Sequence, residues 1–236
     1  MKHKISVIIP TLNEEKYIGN LLDDLSNQTL LPHEVIVVDA KSVDKTKKVV
    51  TTHKLKPIFH IHKKGVVHQR NFGIAQSTGE IIILMDADVR INEKFIENSL
   101  HQFYKHDLHI ACPNYRADSK HPDIKLCFAF INSIFVVTQK FAPSGAGMCI
   151  ITTKSHVIKH GGFDETYNAY EDWEFIRRLG RKGKFKILKT YVKGSDRRFV
   201  KEGVIKVMSQ YTILTLLHCL KMKRVANKIP YKFGGY

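Results

Sequence analysis

The chain has 236 residues, and 43% of them are hydrophobic, which is enough for one domain with a sizeable core. Its amino-terminal apolar run is short and ends at Pro10, unlike a secretory signal peptide. The four cysteines, Cys112, Cys127, Cys149 and Cys219, form no CxxC pair. This argues against a disulfide framework or a zinc site and is typical of reduced thiols in a cytosolic protein.

The excess of basic residues lies almost entirely in the last quarter of the chain. The net charge is +16, yet residues 1–176 carry 21 Lys and Arg against 20 Asp and Glu, whereas residues 177–236 carry 17 against 2. Such a basic segment favours an anionic partner, which can be nucleic acid, a membrane surface or a phosphorylated substrate. The alternative is a solvated basic surface without a partner.

Strands and helices alternate through the first half of the chain. Short apolar, β-branched runs predict strands at Ile5–Ile9, Glu34–Asp39, Pro57–Ile61 and Glu80–Met85. Helical spacing of apolar residues predicts helices at Glu14–Asn27, Val43–His53 and Val66–Gln76. Because these strands are apolar throughout, we expect an α/β domain whose mostly parallel sheet is covered by helices on both faces.

The second half is less regular. Helices are predicted at Glu93–Tyr104, Asp123–Lys140, Tyr170–Lys182 and Gly203–Lys223. Strands are predicted at His109–Pro113, Met148–Thr152 and Phe185–Val192. Two charge-free stretches of 14 residues, Leu126–Gln139 and Val207–Leu220, are too short to span a membrane and predict core or membrane-surface helices.

Polar residues follow three of the predicted strands, in the segments "PTLNEE", "DAKSVDKT" and "DAD". The carboxyl ends of strands in an open α/β sheet form its ligand site, so these segments can converge. Asp86 and Asp88 are separated by one residue and can reach one hard cation together with substrate phosphates. The alternative is a strand-end turn that Asp86 caps.

Three further features add to this site. Asp39 can accept a hydrogen bond from a nucleobase or a ribose hydroxyl, although it can also cap the following helix. Arg70 can pair with a phosphate, or it is a surface cation of its helix. The glycines of "SGAG", Ser144–Gly147, indicate a loop where backbone approaches another group closely.

Five segments together resemble the successive blocks of the family 2 glycosyltransferases, which have the GT-A fold. They are "ISVIIPTLNEEKYIGNLLDDL", "EVIVVDAKSVDKT", "QRNFGIAQSTGEIIILMDAD", "GAGMCIITTKSHVIKHGGFDE" and "YEDWEFIRRLGRKG". Their order and spacing match the family from about Ile5 to about Gly183. The resemblance implies a Rossmann-like mixed sheet and an inverting, metal-dependent hexosyltransferase that uses a UDP- or GDP-sugar with Mg²⁺ or Mn²⁺.

The resemblance also implies roles for individual residues. The residues expected to line the nucleoside pocket are Pro10, Thr11, Asn13, Glu14 and Asp39. In the "DAD" motif, Asp86 would lie near the ribose and the metal, and Asp88 would be the main metal ligand. Asp172 matches the general base, with Glu171 beside it.

Arg197 and Arg198 follow the last predicted strand in "GSDRRFVKEG" and resemble a diphosphate-binding loop. They can equally be two more cations of the basic segment. The chain departs from the family pattern at Ala40 and Lys41, which affects base preference. It also departs at Arg90, where some relatives have a metal ligand that arginine cannot replace.

The nature of the acceptor remains open at this point. An alcohol acceptor needs Asp172 as a base, whereas a polyprenyl phosphate is already anionic. The charge-free stretches and the basic segment suit a lipid-linked acceptor at an anionic membrane, as in cell-envelope glycan or glycolipid synthesis. We therefore expect a catalytic domain at 1–202 and a basic helix and tail at 203–236. The protein would be cytoplasmic and peripheral on the cytoplasmic face of the membrane.

Two other functions fit parts of the sequence. A sugar-phosphate nucleotidyltransferase would carry a Gly-rich phosphate loop after the first strand, where this chain has "PTLNEE". A basic nucleic-acid-binding protein would interleave exposed aromatic residues with its cations. The aromatic residues of the basic segment fall mostly in predicted strands and helices, so we expect no nucleic-acid partner.

Overall fold

The computed structural model describes residues 4–167, 170–220, 222–226 and 229. The strands are β1 Ile5–Thr11, β2 Glu34–Asp39, β3 Ile58–Ile61, β4 Ile81–Met85, β5 Ile110–Asp118, β6 Cys149–Thr153 and β7 Phe185–Ser195. The helices are α1 Ile18–Ser26, α2 Thr46–Thr51, α3 Val66–Gln76, α4 Phe95–Lys105, α5 Pro122–Thr138, α6 Lys154–His160, α7 Glu171–Lys182, α8 Arg197–Glu202, α9 Val204–Cys219 and α10 Lys223–Ala226.

The seven strands form one mixed sheet in the order β3-β2-β1-β4-β6-β5-β7. Strands β1 to β4 pair in parallel, as do β5 and β7, and β6 runs antiparallel to both of its neighbours. The α/β class and the mostly parallel sheet are therefore confirmed. The reversed β6 brings its amino-terminal end, and the Gly-rich loop before it, to the edge where β4 ends.

Both faces of the sheet are buried, which explains why its strands are apolar throughout. In β1, Ile5, Val7 and Ile9 pack into one layer of the core, and Ile8 packs into the layer on the opposite face. The first layer includes α1 and α4, and the second includes α3 and α7. With both faces covered, the carboxyl edge of the sheet is the place where polar groups can gather.

Strands β5 and β7 extend beyond their predicted ends because they pair with each other. Their register shifts after Pro113, so that Asn114 lies opposite Tyr191. Pro113 has no backbone N–H to donate to a ladder, and Asn114 Nδ2 donates to Leu188 O at 2.8 Å across the irregularity. This pairing carries the chain to Ser195, next to the two arginines.

Three short helices, α6, α8 and α10, were not predicted. Thr153 caps α6 by accepting a hydrogen bond from His156 N at 3.2 Å. The segment of Arg197 and Arg198, predicted to be a loop, begins helix α8, because Phe199 is buried against Phe128 at 5.4 Å between ring centroids. That burial depends on a contact between distant parts of the chain and leaves no local sequence signal.

The structure describes only part of the predicted basic helix and tail at 203–236. Helix α9 is held to the rest of the structure by the buried Val207 and Leu214. Among the described residues, no helix combines the length and the apolar composition needed to cross a membrane. The division at residue 202 remains a prediction, and residues 227–228 and 230–236 of the tail, like the Cys219 side chain, lie outside the description. Cys112, Cys127 and Cys149 are free thiols.

We predict that Gly73→Ala destabilises the protein by about 1–3 kcal/mol, because the new methyl group would overlap Ile8 Cγ2 where α3 packs on β1. Gly19→Ala in α1 is the matched control, since its Cβ would lie 3.4 Å from Val49 Cγ1, an ordinary contact. This second change should be neutral or stabilise by up to about 1 kcal/mol. Urea denaturation measures both, and equal effects of the two changes would contradict the prediction.

Candidate active site

A cavity of about 1180 Å³ opens at the carboxyl ends of β1 and β4. Its polar part is lined by the segment after β1, by the "DAD" motif, by the loop before β6 and by the start of α7. Its apolar part lies between α5 and α9. Of the predicted site residues, those that line the cavity are Pro10, Thr11, Asn13, Glu14, Arg70, Asp86, Asp88, Glu171, Asp172, Arg197 and Arg198.

Arg70 lies on α3 and is only 3% exposed. Its Nη2 donates to Asp86 Oδ1 at 2.8 Å and to Gly147 O at 3.2 Å, and its Nη1 donates to Glu171 Oε1 at 3.3 Å. The guanidinium is thus the shared counter-ion of two carboxylates from distant segments. Its pairing with a phosphate remains a prediction.

Glu171 and Asp172 begin helix α7, where carboxylates also interact favourably with the helix dipole. Burial raises the pKa of both carboxyls, and the adjacent Asp172 raises the pKa of Glu171 further. The nearby Arg70 acts in the opposite direction on both pKa values. Two adjacent carboxyls that share one cation favour a state in which the pair carries one proton.

The Gly-rich loop explains how Asp172 fits into this site. A Cβ built on Gly147 would overlap the Asp172 carboxylate, so only glycine allows the two segments to meet. Asp86 N also donates to Met148 O at 3.0 Å, which ties the "DAD" motif to the same loop. The close backbone approach expected of "SGAG" is therefore present, and its partner is the candidate base.

A second charged cluster joins Glu14, Asp88 and Arg197. Arg197 donates from Nη1 to Glu14 Oε2 at 2.9 Å and from Nη2 to Glu14 Oε1 at 2.8 Å, and its Nη2 lies 3.3 Å from Asp88 Oδ2. Burial raises the pKa of Asp88 to about 6 against the opposing effect of Arg197, and Asp86 and Glu14 raise it as well. The ionised Asp88 is thus held at a cost in an environment that favours a further cation.

The two adjacent arginines have different partners. Whereas Arg197 faces the carboxylates, Arg198 Nη2 donates to Gln210 Oε1 at 2.8 Å, and its guanidinium lies 5.3 Å from the centre of the Tyr211 ring. Arg198 Nε also lies 3.3 Å from Glu202 Oε1. Arg198 therefore connects α8 to α9. Of the two adjacent arginines, Arg197 is the one that contacts the "DAD" motif, through Asp88.

Asp39 does not line the cavity. Its carboxylate is 2% exposed and accepts hydrogen bonds from Thr11 Oγ1 at 2.9 Å, Ser42 N at 2.8 Å and Ser42 Oγ at 2.5 Å. Ser42 Oγ in turn accepts from Asn13 N at 2.8 Å, and Asn13 has a left-handed φ of 56°. Asp39 thus shapes the loop that presents Asn13 and Glu14 to the cavity.

Arg90, the departure from the family pattern, has a structural partner. Its Nε and Nη2 donate to the two carboxylate oxygens of Asp24 at 2.6 Å and 2.8 Å, and its backbone pairs with Lys193. It therefore joins α1 to β7 directly behind the "DAD" motif.

Sequence reasoning missed several residues of the cavity. Gln69 donates to Thr11 O at 2.9 Å and to Val38 O at 2.6 Å, which holds the ends of β1 and β2 together. Tyr170 and Trp173 line the cavity on either side of the carboxyl pair. Their position beside "ED" was the available signal, but aromatic residues near a helix start usually indicate core packing.

Five acidic and five basic side chains line the cavity, and the acidic ones cluster around Arg70 and Arg197. Glu14, Asp86, Asp88, Glu171 and Asp172 line it, and the guanidinium contacts to them come from Arg70 and Arg197. Within the described part of the chain, no group of three or more His, Cys, Asp or Glu side chains is arranged to hold a metal ion by itself. A cation at this site would need ligands from a second molecule.

The model of the family described as "Glycosyl transferase family 2" matches residues 6–126, just over half of the chain. A second model, "Glycosyltransferase like family 2", matches residues 115–198. Among curated proteins, the uncharacterized glycosyltransferase YwdF of Bacillus subtilis is 27% identical over 191 residues, which cover 75% of this chain and 68% of YwdF. TarS of Staphylococcus aureus, a poly(ribitol-phosphate) beta-N-acetylglucosaminyltransferase, is 34% identical over 103 residues, 41% of this chain and 18% of TarS.

Solved structures show the same fold. TarS 1–349 in complex with UDP matches with a TM-score of 0.65 at 22% identity, over 81% of this chain and 60% of the other. The mannosyltransferase PcManGT of Pyrobaculum calidifontis, in complex with GDP-Man and Mn²⁺, matches with a TM-score of 0.62 at 23% identity, over 83% and 56%. The matched part of this chain spans less than two thirds of either structure.

We predict that Asp88→Asn makes the protein more stable at pH 7.5 by about 1–3 kcal/mol, because the folded state raises the pKa of Asp88 from 3.8 to about 6. The ionised carboxylate is then a cost to folding above pH 6. The stability gain of Asp88→Asn over the wild type should shrink as the pH falls. It should vanish below about pH 3.8, where Asp88 is protonated in both the folded and the unfolded state.

Urea denaturation at pH 7.5, 5 and 4 measures this difference. Asp118→Asn is the control, since Asp118 is an exposed carboxylate on β5 and its substitution should change stability by less than about 0.5 kcal/mol. A wild-type protein that is more stable than Asp88→Asn at pH 7.5 would contradict the prediction.

Proposed function

The chain belongs to glycosyl transferase family 2, and we propose that it transfers a sugar from a UDP- or GDP-sugar to an acceptor hydroxyl with inversion at the anomeric carbon. The observation that carries this proposal is the single cavity lined both by the Glu14, Asp88 and Arg197 cluster and by the Glu171 and Asp172 pair. The first group suits a diphosphate, and the second suits proton transfer.

The donor nucleoside would bind at the end of β1. Pro10, Thr11, Asn13 and Glu14 line that part of the cavity, and Asp39 supports their loop from behind. Backbone and hydroxyl groups there can meet a base or a ribose. The presence of UDP in the TarS structure and of GDP-Man in the PcManGT structure supports a nucleoside diphosphate without choosing between them.

A divalent cation, Mg²⁺ or Mn²⁺, fits the residues present. Asp88 and Asp86 would hold it through their carboxylate oxygens, and donor phosphates would complete its ligands, as is usual for Mg²⁺ in nucleotide enzymes. The position of both Asp86 and Asp88 at the cavity and the raised pKa of Asp88 support this assignment. When bound, such a cation neutralises the charge that develops on the leaving diphosphate.

Arg197 would stabilise the same charge from the protein side. Its guanidinium already bridges Glu14 and Asp88, so a diphosphate bound nearby could replace one of these partners with a bidentate hydrogen bond. Arg198, which pairs with Gln210 and Glu202, would act mainly by holding α8 in place.

Asp172 would act as the general base. The acceptor oxygen forms a bond to the anomeric carbon while the bond from that carbon to the diphosphate breaks and its electrons leave with the diphosphate. Asp172 takes the hydroxyl proton in this step. The carboxyl pair would carry one proton before this step, and Arg70, bonded to Glu171, would keep it from carrying two, so that Asp172 can accept the hydroxyl proton.

The alternative reading as a sugar-phosphate nucleotidyltransferase is set aside by the family match. The segment after β1 is also bent by the left-handed Asn13 and bound to the β2 loop through Ser42, which leaves no Gly-rich cradle for a triphosphate. Glycosyl transfer is therefore the reaction class that we propose. The cytoplasmic location of the protein remains a prediction.

We test three nucleoside diphosphates, UDP, GDP and dTDP, with CMP as a control. We predict that one of the three diphosphates raises the melting temperature of the protein, and only when Mn²⁺ is present. Asp88→Ala should abolish the shift, because it removes the main carboxylate ligand. Asp118→Ala, at an exposed position outside the large cavity, should preserve it. A thermal-shift panel measures this, and the absence of any shift in the wild-type protein would overturn the proposed function.

We predict that Asp172→Asn retains this nucleotide-dependent shift but lowers donor turnover roughly 10²- to 10⁴-fold, because the amide cannot accept the proton. Glu171→Gln should have a smaller effect, since the amide oxygen can still accept the hydrogen bond from Arg70 and Asp172 remains in place. A coupled assay that monitors the release of nucleoside diphosphate measures turnover. Equal losses in the two variants would contradict the assignment of Asp172 as the base.

A further inference from the structure

Helix α5 exposes an apolar stripe. The side chains of Leu126, Phe130 and Val137 are 71%, 60% and 74% exposed, and Phe141 just beyond the helix is 86% exposed. Their spacing of four, seven and four residues places them along one side of the helix. The opposite side is anchored by Ile124 and Phe128, which are buried in the core.

Helix α9 exposes a second stripe. Ile213, Leu216 and Leu220 are exposed at helical spacing, and Ile205 lies near the start of the helix. Tyr170 Oη donates to Tyr211 O at 2.8 Å, which fixes α9 beside the start of α7. The two stripes meet at the cavity, which Phe130 and Ile134 of α5 and Leu216 of α9 line. Together they are here called the α5–α9 face, which consists of Leu126, Phe130, Ile134, Val137, Phe141, Ile205, Ile213, Leu216 and Leu220.

The α5–α9 face is continuous with the apolar part of the active-site cavity. Phe130, Ile134 and Leu216 are exposed on the surface and also line the cavity. The apolar lining therefore runs from exposed side chains of α5 and α9 into the cavity that Asp172 also lines. A water-soluble acceptor would gain nothing from this apolar passage.

Cations flank both stripes. Lys125 and Lys140 are exposed at the two ends of the α5 stripe, and Lys201 and Lys206 are exposed before and within the first turns of α9. Lys201 and Lys206 belong to the segment from residue 177 onward, which has 17 Lys and Arg against 2 Asp and Glu. Apolar groups surrounded by cations match an interface with anionic lipid.

We propose that the α5–α9 face binds an anionic membrane surface and that the cavity takes the hydrocarbon chain of a lipid-linked acceptor from it. This inference rests on the proposed function, because it names the class of acceptor for the same site. A second copy of the chain is a poorer occupant, since a symmetric contact through this face would bring lysines against lysines. Lipid head groups supply the missing negative charge.

The first experiment is flotation with phosphatidylcholine vesicles that contain or lack phosphatidylglycerol. The wild-type protein should bind only the anionic vesicles, and added salt should weaken the binding because it screens the lysines. Leu126→Glu with Val137→Glu should lower the bound fraction at least about tenfold, since both charges would enter the interface.

Leu31→Glu with Ile158→Glu is the matched control. These two residues are 57% and 71% exposed, but they lie before β2 and on α6, away from the α5–α9 face. The control should bind vesicles like the wild type, and a thermal melt verifies that both double variants are folded. Equal binding of the two double variants would overturn the proposal. Light scattering gives a second outcome that would overturn the proposal: a dimer in the wild-type protein and a monomer in Leu126→Glu with Val137→Glu.

The second experiment uses Trp173, the only tryptophan of the chain, which lines the cavity. Polyprenyl phosphate in nonionic detergent micelles should change Trp173 fluorescence saturably, whereas empty micelles should not. Phe130→Ser with Leu216→Ser should raise the concentration for half saturation at least about tenfold, because both side chains line the passage. No response of the wild-type protein to polyprenyl phosphate would overturn the cavity part of the proposal.

Donor binding separates this inference from the function on which it rests. A wild-type protein that shows the nucleotide- and Mn²⁺-dependent thermal shift, but neither vesicle binding nor a Trp173 response, would overturn the lipid acceptor alone. A wild-type protein without the thermal shift would overturn the proposed function.

Discussion

A buried arginine among carboxylates is the contact on which the rest of this site depends. Removing a guanidinium from water costs several kcal/mol unless opposite charges surround it. Arg70 meets this requirement with Asp86 at the end of β4, Glu171 at the start of α7 and the carbonyl of Gly147. Three segments far apart in the chain are thereby fixed at one edge of the sheet, and Asp172 is placed where only glycine can face it.

The second charged cluster is built differently, from an arginine on a short helix and two carboxylates. Arg197 reaches Glu14 and Asp88 from a short helix whose only buried side chain is Phe199, and the Asp88 carboxylate has a pKa raised to about 6. An ionised group held at a cost gains more from a new partner than one that is already satisfied. In the proposed function, the raised pKa of Asp88 would favour the binding of a cation and a diphosphate.

The direction of one strand connects the polar and apolar parts of the cavity. Because β6 is antiparallel to β4, its preceding loop returns to the carboxyl edge of the sheet, where Asp86 N binds Met148 O. The chain before that loop is α5, whose inner side lines the cavity and whose outer side is exposed. Helix α9 completes the wall from the other end of the chain. A charged reaction centre and an apolar passage thus share one opening.

The sequence by itself determined the four parallel strands, their covering helices, the "DAD" motif and the "ED" pair, because each depends on a local pattern of apolar and polar residues. Tertiary structure alone decided what the charges do. Arg70 and Arg197 find carboxylates 101 and 183 residues away, and Arg90 binds Asp24. Asp39, which was expected to line the nucleoside pocket, instead supports the neighbouring loop from behind. The partner of a charge depends on which distant segments the sheet brings within about 3 Å, and that distance is not encoded in any local pattern.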